Sequence, residues 1–144
     1  MVKSKSKDVV AGLGEIGGPI FQLISKGTAT LEYDKNPKLN KKSSKKLSSL
    51  ETNFLHICIP FTGKFIQHVF ALNKKYHPKG IVIHSTISPG TTKKLQDKLS
   101  IPIIYSATRG VHKRMLYDLK RYTKFYALEK MPQKQSGQLK PFLI

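Results

Sequence analysis

The chain is predicted to fold as an α/β domain: a doubly wound parallel sheet of about six strands with helices on both faces. Three observations carry that prediction. Short β-type apolar runs alternate with stretches of helical periodicity along most of the 144 residues. The central runs are nearly unbroken apolar stretches, as parallel strands buried on both faces require. A glycine-rich turn, Gly12 to Gly17, stands between the first run and the first helical stretch.

Each element follows in order. Asp8 to Ala11 is a β-type run ending at glycine. Ile16 to Ser25 has Ile16, Ile20, Leu23 and Ile24 on one side of a helix, which Gly27 stops. Thr28 to Tyr33 reads as a second strand. Lys35 to Ser49 is basic and serine-rich, and is expected to form a loop and a short, poorly packed helix. Phe54 to Ile59 is a buried strand ended by Pro60. Gly63 to Tyr76 is helical, with Phe65, Ile66, Val69, Phe70 and Leu72 at helical spacing, and Pro78 and Gly80 mark a turn. Ile81 to His84 is a strand. Pro89 to Leu99 is a helix expected to start after Ser88 as N-cap. Ile101 to Tyr105 is a fifth strand, Lys113 to Arg121 a helix and Thr123 to Leu128 a sixth strand. Residues 1–128 are thus expected to form one domain, and residues 129–144 a tail with no clear element.

The glycine turn reads Gly12-Leu13-Gly14-Glu15-Ile16-Gly17. Between a strand and a helix this pattern is a dinucleotide fingerprint. Gly12 permits a tight turn, Gly14 lets a pyrophosphate approach the backbone, and Gly17 lets helix and strand pack closely. The N–H groups and positive end of the helix then face the phosphates. Asp34 ends the second strand 22 positions beyond Gly12, close to the spacing of about 20 at which a carboxylate accepts from the adenosine ribose hydroxyls. It would repel a 2′-phosphate, so NAD is expected over NADP, although Lys35 and Lys38 work against that preference. The fold class is therefore a Rossmann-type sheet, and the expected ligand a dinucleotide.

Three further segments carry a resemblance: Phe54 to Pro60 (FLHICIP), His84 to Thr92 (HSTISPGTT) and Tyr105 to Asp118 (YSATRGVHKRMLYD). Together with the glycine turn and Asp34, they resemble the N-terminal NAD-binding domain of the UDP-glucose/GDP-mannose dehydrogenase family, over roughly Lys7 to Leu128. The resemblance implies a domain of an oxidoreductase that passes two hydrides from a sugar C6 alcohol to NAD by way of a thioester. It implies cofactor contacts from Gly12, Gly14, Glu15, Ile16, Gly17, Asp34, Pro60, Ser85 and Thr86. It also places Thr86 near the reacting centre, helping to hold a catalytic water. The substrate-side segment of the family begins Ser-Pro-Glu. Here Ser106 is kept, Ala107 and Thr108 replace proline and glutamate, and His112 stands at a further acidic position. The family's catalytic cysteine and assisting lysine come from later domains that these residues do not include. A single hydride transfer would need a partner subunit or a second copy to supply the missing groups, with a nucleotide-sugar or other phosphorylated substrate.

Other chemistry has less support. Cys58 lies mid-run in a buried strand and reads as core packing. With no second cysteine, an internal disulfide is impossible and a reducing, cytoplasmic setting is expected. The five histidines show no metal-ligand spacing. His84 reads as a packed or solvated residue at a strand end. His112, between Arg109, Lys113 and Arg114, is a candidate general base for an alcohol. No run approaches the roughly 18 apolar residues a membrane span needs.

The formal net charge of +18, from 26 Lys and Arg against 8 Asp and Glu, supplies an alternative. A non-catalytic nucleotide-binding module could present this basic surface to nucleic acid or another polyanion. The basic tracts Lys3 to Lys7 and Lys38 to Lys46 motivate it, but no base-stacking aromatics are interleaved with them.

Overall fold

A computed structural model of the chain describes residues 5–41 and 45–129. The elements are β1 (Ser6–Ala11), α1 (Gly17–Ile24), β2 (Thr30–Tyr33), α2 (Lys45–Ser48), β3 (Glu51–Ile57), α3 (Phe65–Tyr76), β4 (Gly80–Ile83), α4 (Thr91–Lys98), β5 (Ile103–Tyr105), α5 (Met115–Arg121) and β6 (Ala127–Leu128). Single 3₁₀ turns occupy Pro37–Leu39 and His112–Arg114. The six strands form one sheet in the order β2-β1-β3-β4-β5-β6. β1 to β5 are parallel, as the unbroken apolar runs predict.

The register explains both faces. Val9, Leu55, Ile81 and Ile103 align across four strands. They form a core with Phe65, Val69 and Leu72 of α3 and Leu95 of α4. One residue on, Val10, His56, Val82 and Ile104 align on the opposite face, the side on which α1 and α5 pack together. Period-two alternation sends successive residues to opposite faces, and helices cover both, so almost no strand position can be polar.

His56 is the polar member of that second row. It is fully buried, as is His84, and His56 Nδ1 lies 2.9 Å from His84 Nε2. The buried Asp8 carboxylate stands 3.5 Å from His56 Nε2 and accepts from the Phe54 N–H at 3.1 Å. A polar seam thus crosses β1, β3 and β4 under the helices. His84 is a packed histidine, one of the two readings of its position.

Three expectations are corrected. Helix α4 does not start from a Ser88 cap. Gly90, at φ 84°, is its N-cap, and the Ser88 carbonyl accepts from the Thr91 N–H at 3.2 Å and Oγ1 at 2.8 Å. Pro89-Gly90 makes a turn that delays the helix by two residues. The sixth strand is two residues long and antiparallel to β5, so the sheet is not wholly parallel. Its direction has a visible cause. Ser106 Oγ donates to the Phe125 carbonyl at 2.7 Å, and Lys124 Nζ donates to the Ser106 carbonyl at 2.7 Å. The chain is therefore held at the carboxyl end of β5 before it enters the sheet, and from there it can only run back. Finally, β3 starts at Glu51 rather than Phe54, because Glu51 and Thr52 pair with Ser6 and Lys7 of β1 despite their polarity. Residues 129–144 were expected to be a tail; only Glu129 of these is among the described residues.

Candidate functional site

Because β1 to β5 are parallel, their carboxyl ends share one edge. The order β2-β1-β3 makes the chain change direction of travel at β1, which opens a crevice between β1 and β3 where ligands bind in such sheets. The Gly12–Gly17 turn, Asp34, Pro60, Ser85, Thr86 and the 106–108 segment all follow the carboxyl ends of their strands. The sheet thus brings the expected cofactor residues to one edge.

The three glycines of the turn have different surroundings. Gly12 has φ 91°, and a Cβ on it would lie 2.7 Å from the Cys58 carbonyl oxygen. A Cβ on Gly17 would lie 1.6 Å from the Gly12 carbonyl oxygen. Both are closed by backbone. A Cβ on Gly14 would meet nothing within 4 Å, so this backbone faces open space. Gly14 is exposed, and α1 begins three residues later with no side chain capping its first turn. A helix start with no side-chain cap, beside an open glycine, is the setting in which a pyrophosphate binds.

Asp34 is built into this turn. Its Oδ2 accepts from the Leu13 N–H at 2.8 Å and its Oδ1 from the Asn36 N–H at 2.8 Å. Its own N–H donates to Asn40 Oδ1 at 2.6 Å, and Asn40 Nδ2 returns a bond to the Asp34 carbonyl at 2.7 Å. The carboxylate is thereby fixed between the turn and the end of β2. Lys35 and Lys38 beyond it are exposed.

Glu15 and His112 meet in an ion-pair contact through Oε2 and Nδ1, both exposed to solvent. Packing of α5 on α1 brings the two together. The base candidate therefore stands beside the glycine turn. Its loop is held by the buried Asp118, whose Oδ2 accepts from the Val111 N–H at 2.8 Å and from Arg114 Nε at 3.3 Å.

At the end of β4, Ser85 is buried and donates through Oγ to the Ile59 carbonyl at 2.6 Å, tying β4 to the residue before Pro60. Thr86 and Pro60 are exposed, so Thr86 has its hydroxyl available at the crevice edge. Cys58 packs against the turn, since the Gly17 Cβ position lies 3.0 Å from the Cys58 Cβ. Burial pushes its thiol up to about 12, with Lys124 pulling weakly the other way. A thiol so hard to ionise is a poor nucleophile.

Lys124 was not singled out by the sequence. Its Nζ donates to the Ser106 carbonyl, to the Ala107 carbonyl at 3.2 Å and to Thr108 Oγ1 at 3.1 Å. Burial lowers its pKa to about 8, against a small opposing effect from Cys58. It fastens the segment in which Ala107 and Thr108 stand where the resembling family has proline and glutamate. Among 26 basic residues nothing in the sequence distinguishes this one.

Among the described residues, no group of three or more His, Cys, Asp or Glu is placed to hold a metal ion. Nor, among those residues, is any helix long and apolar enough to cross a membrane.

No protein-family model matches the chain, and no curated protein matches it in sequence. Its fold is similar to that of UDP-D-ManNAc dehydrogenase from Pyrococcus horikoshii, at 17% identity and a TM-score of 0.67. The match covers 83% of this chain and 40% of that one. The likeness establishes a Rossmann-like α/β fold, and the chain spans less than half of its neighbour.

Proposed function

We propose that the chain is a dinucleotide-binding domain of the nucleotide-sugar dehydrogenase type, with NAD as its ligand. One observation carries the reading: within a single turn, Gly12 and Gly17 are closed by backbone while Gly14 opens to solvent beside an uncapped helix start. A turn that needed glycine only for packing would have no reason to leave the middle one open.

In this reading Gly12, Gly14, Glu15, Ile16 and Gly17 hold the pyrophosphate. Asp34 accepts from the adenosine ribose. Pro60, Ser85 and Thr86 line the nicotinamide end. When bound, the nicotinamide would supply a hydride acceptor. The chain's own residues bind and orient it, and Ser85 contributes by keeping the β4 end in register with Ile59. Thr86 is the candidate for holding a water there, and His112, beside Glu15, is the candidate general base. The fixed Asp34 carboxylate favours NAD over NADP. The replacement of the family's glutamate by Thr108, bonded to Lys124, supports an incomplete substrate side that a partner subunit or second copy would complete. A nucleotide-sugar is the substrate class this reading implies, and a reducing, cytoplasmic setting accompanies it.

Calorimetric titration with NAD and with NADP, each repeated on Asp34→Ala, tests the reading. Saturable NAD binding at least ten-fold tighter than NADP, weakened by the substitution, is expected. No heat and no thermal stabilisation with either nucleotide would leave the sheet an empty scaffold.

A further inference from the structure

The edge of the sheet opposite β2 has an unusual surface. Over residues 117–126 the aromatic side chains are turned outward: Tyr117 is 53% exposed, Tyr122 47%, Phe125 68% and Tyr126 64%. Tyr122, Phe125 and Tyr126 border a shallow cavity of about 210 Å³ with Tyr105, Arg109 and Lys124. Clustered exposed apolar surface marks an interaction site. None of the residues assigned above to the dinucleotide lines it.

Charge indicates the occupant. Between Arg109 and Leu128 the chain carries Arg109, Lys113, Arg114, Lys120, Arg121 and Lys124, and only one acidic residue, Asp118. Asp118 is buried and bonded to Val111 and Arg114. The outward face of this segment is therefore aromatic and cationic, with no exposed carboxylate. A second copy would bring the same cations against it, within a chain whose net charge is +18. A ligand with flat apolar faces and regularly spaced negative charges satisfies both features. Arg121 already shows the pairing. Its guanidinium lies 5.1 Å from the Tyr117 ring centroid, and Nη1 donates to the Tyr117 hydroxyl at 2.8 Å.

We propose that this edge binds single-stranded nucleic acid, with bases stacked on Tyr122, Phe125 and Tyr126 and phosphates on Arg109 and Arg121. Stacking on aromatics along a cationic groove is the general means of holding single strands without reading their sequence. The aromatics absent from the basic tracts near the N-terminus are present here, where helix α5 and β6 bring them together. The glycine turn contributes no residue to this site, although Ala107 and Lys124 at its margin belong to the segment read above as the substrate side.

The test is fluorescence anisotropy with a labelled twelve-residue oligothymidylate. Heparin and polyglutamate serve as competitors lacking bases. The chain has six tyrosines and no tryptophan, so quenching of tyrosine emission reports stacking directly. Micromolar or tighter binding in low salt is expected. Phe125→Ala/Tyr126→Ala should weaken it about ten-fold or more while leaving heparin binding unchanged. Arg109→Gln/Arg121→Gln should reduce the slope of log K against log salt by about 1.4. Both pairs are surface substitutions, and an unchanged melting temperature verifies folding. Three outcomes overturn the proposal: no binding in low salt, equal loss of oligothymidylate and heparin in the aromatic variant, or polyglutamate binding that depends on the same aromatics. The last would indicate an acidic protein partner.

Discussion

Gly14→Ala and Gly17→Ala should fail in opposite ways, although they lie three residues apart in one turn. A Cβ on Gly17 would sit 1.6 Å from the Gly12 carbonyl oxygen and 2.7 Å from its carbon. Both atoms are backbone, so no rotamer change relieves the overlap, and the turn or α1 must move. Overpacking costs about 1–3 kcal/mol where side chains can yield, and more is expected where they cannot. On a total stability of about 5–15 kcal/mol, the variant should melt roughly 10 °C or more below the parent.

Gly14→Ala meets nothing within 4 Å, and its backbone lies outside the left-handed region. Alanine there should leave stability unchanged or raise it by about 0.4–1 kcal/mol through the unfolded chain. The new methyl occupies the space into which a pyrophosphate must come. Dinucleotide affinity should therefore fall at least ten-fold in a protein that melts no lower than the parent. Differential scanning calorimetry with and without NAD separates the two effects. A Gly14→Ala protein that binds NAD as tightly as the parent would refute the placement of the phosphates. A Gly17→Ala protein of parental stability would refute the geometry of the turn.

Two predictions concern buried titrating groups. Burial, with the adjoining His56 and Lys124, holds His84 well below its usual range, against a smaller opposing effect of the Ser106 backbone. The unfolded chain then binds more protons below about pH 6.5, and stability should fall there by up to about 1.4 kcal/mol per pH unit. Melting temperatures between pH 7.5 and 4.5 should show a shallower decline for His84→Gln; an identical decline would remove His84 as its source. Lys124, with a pKa near 8 when folded, acts with the same sign in a higher pH window. The unfolded chain keeps this proton up to about pH 10.5, so Lys124 raises stability as pH climbs from about 8, while the Cys58 thiol, harder to ionise when folded, offsets the rise from about pH 9. Allowing for solvent screening of a partly exposed amine, the lysine's own share of this change amounts to about 1–2 kcal/mol. Lys124→Met should flatten this segment of the stability curve, and a slope equal to the parent's would show that the amine is not buried at a cost.

What was legible in the sequence follows from local rules. Rows such as Val9, Leu55, Ile81 and Ile103 read as strands because both faces of each are buried, and period-two arithmetic then assigns their partners. The glycine turn and Asp34 were legible because backbone proximity and a carboxylate at a strand end leave fixed spacing in the chain. The residues that escaped notice are those whose meaning depends on distant neighbours. Lys124 acquires a role only because a tether of Phe125 to Ser106 brings its amine to the end of β5. His56 and His84 are 28 positions apart and become a pair only through the β3-β4 register.

The direction of β6 belongs with these. An apolar run of the right composition predicts a strand but carries no sign. Its antiparallel course is decided by where the preceding loop is anchored, and the anchor is a lysine and a serine hydroxyl with no local signature. The same anchoring leaves Phe125 and Tyr126 facing outward at the sheet edge instead of buried in a crossover. The loss of a parallel sixth strand and the exposure of the aromatic edge thus have one cause, the three bonds of Lys124 and the one from Ser106. Releasing that anchor should alter both the strand pairing of Ile104 with Leu128 and the surface beside it, while the glycine turn at β1 keeps its geometry.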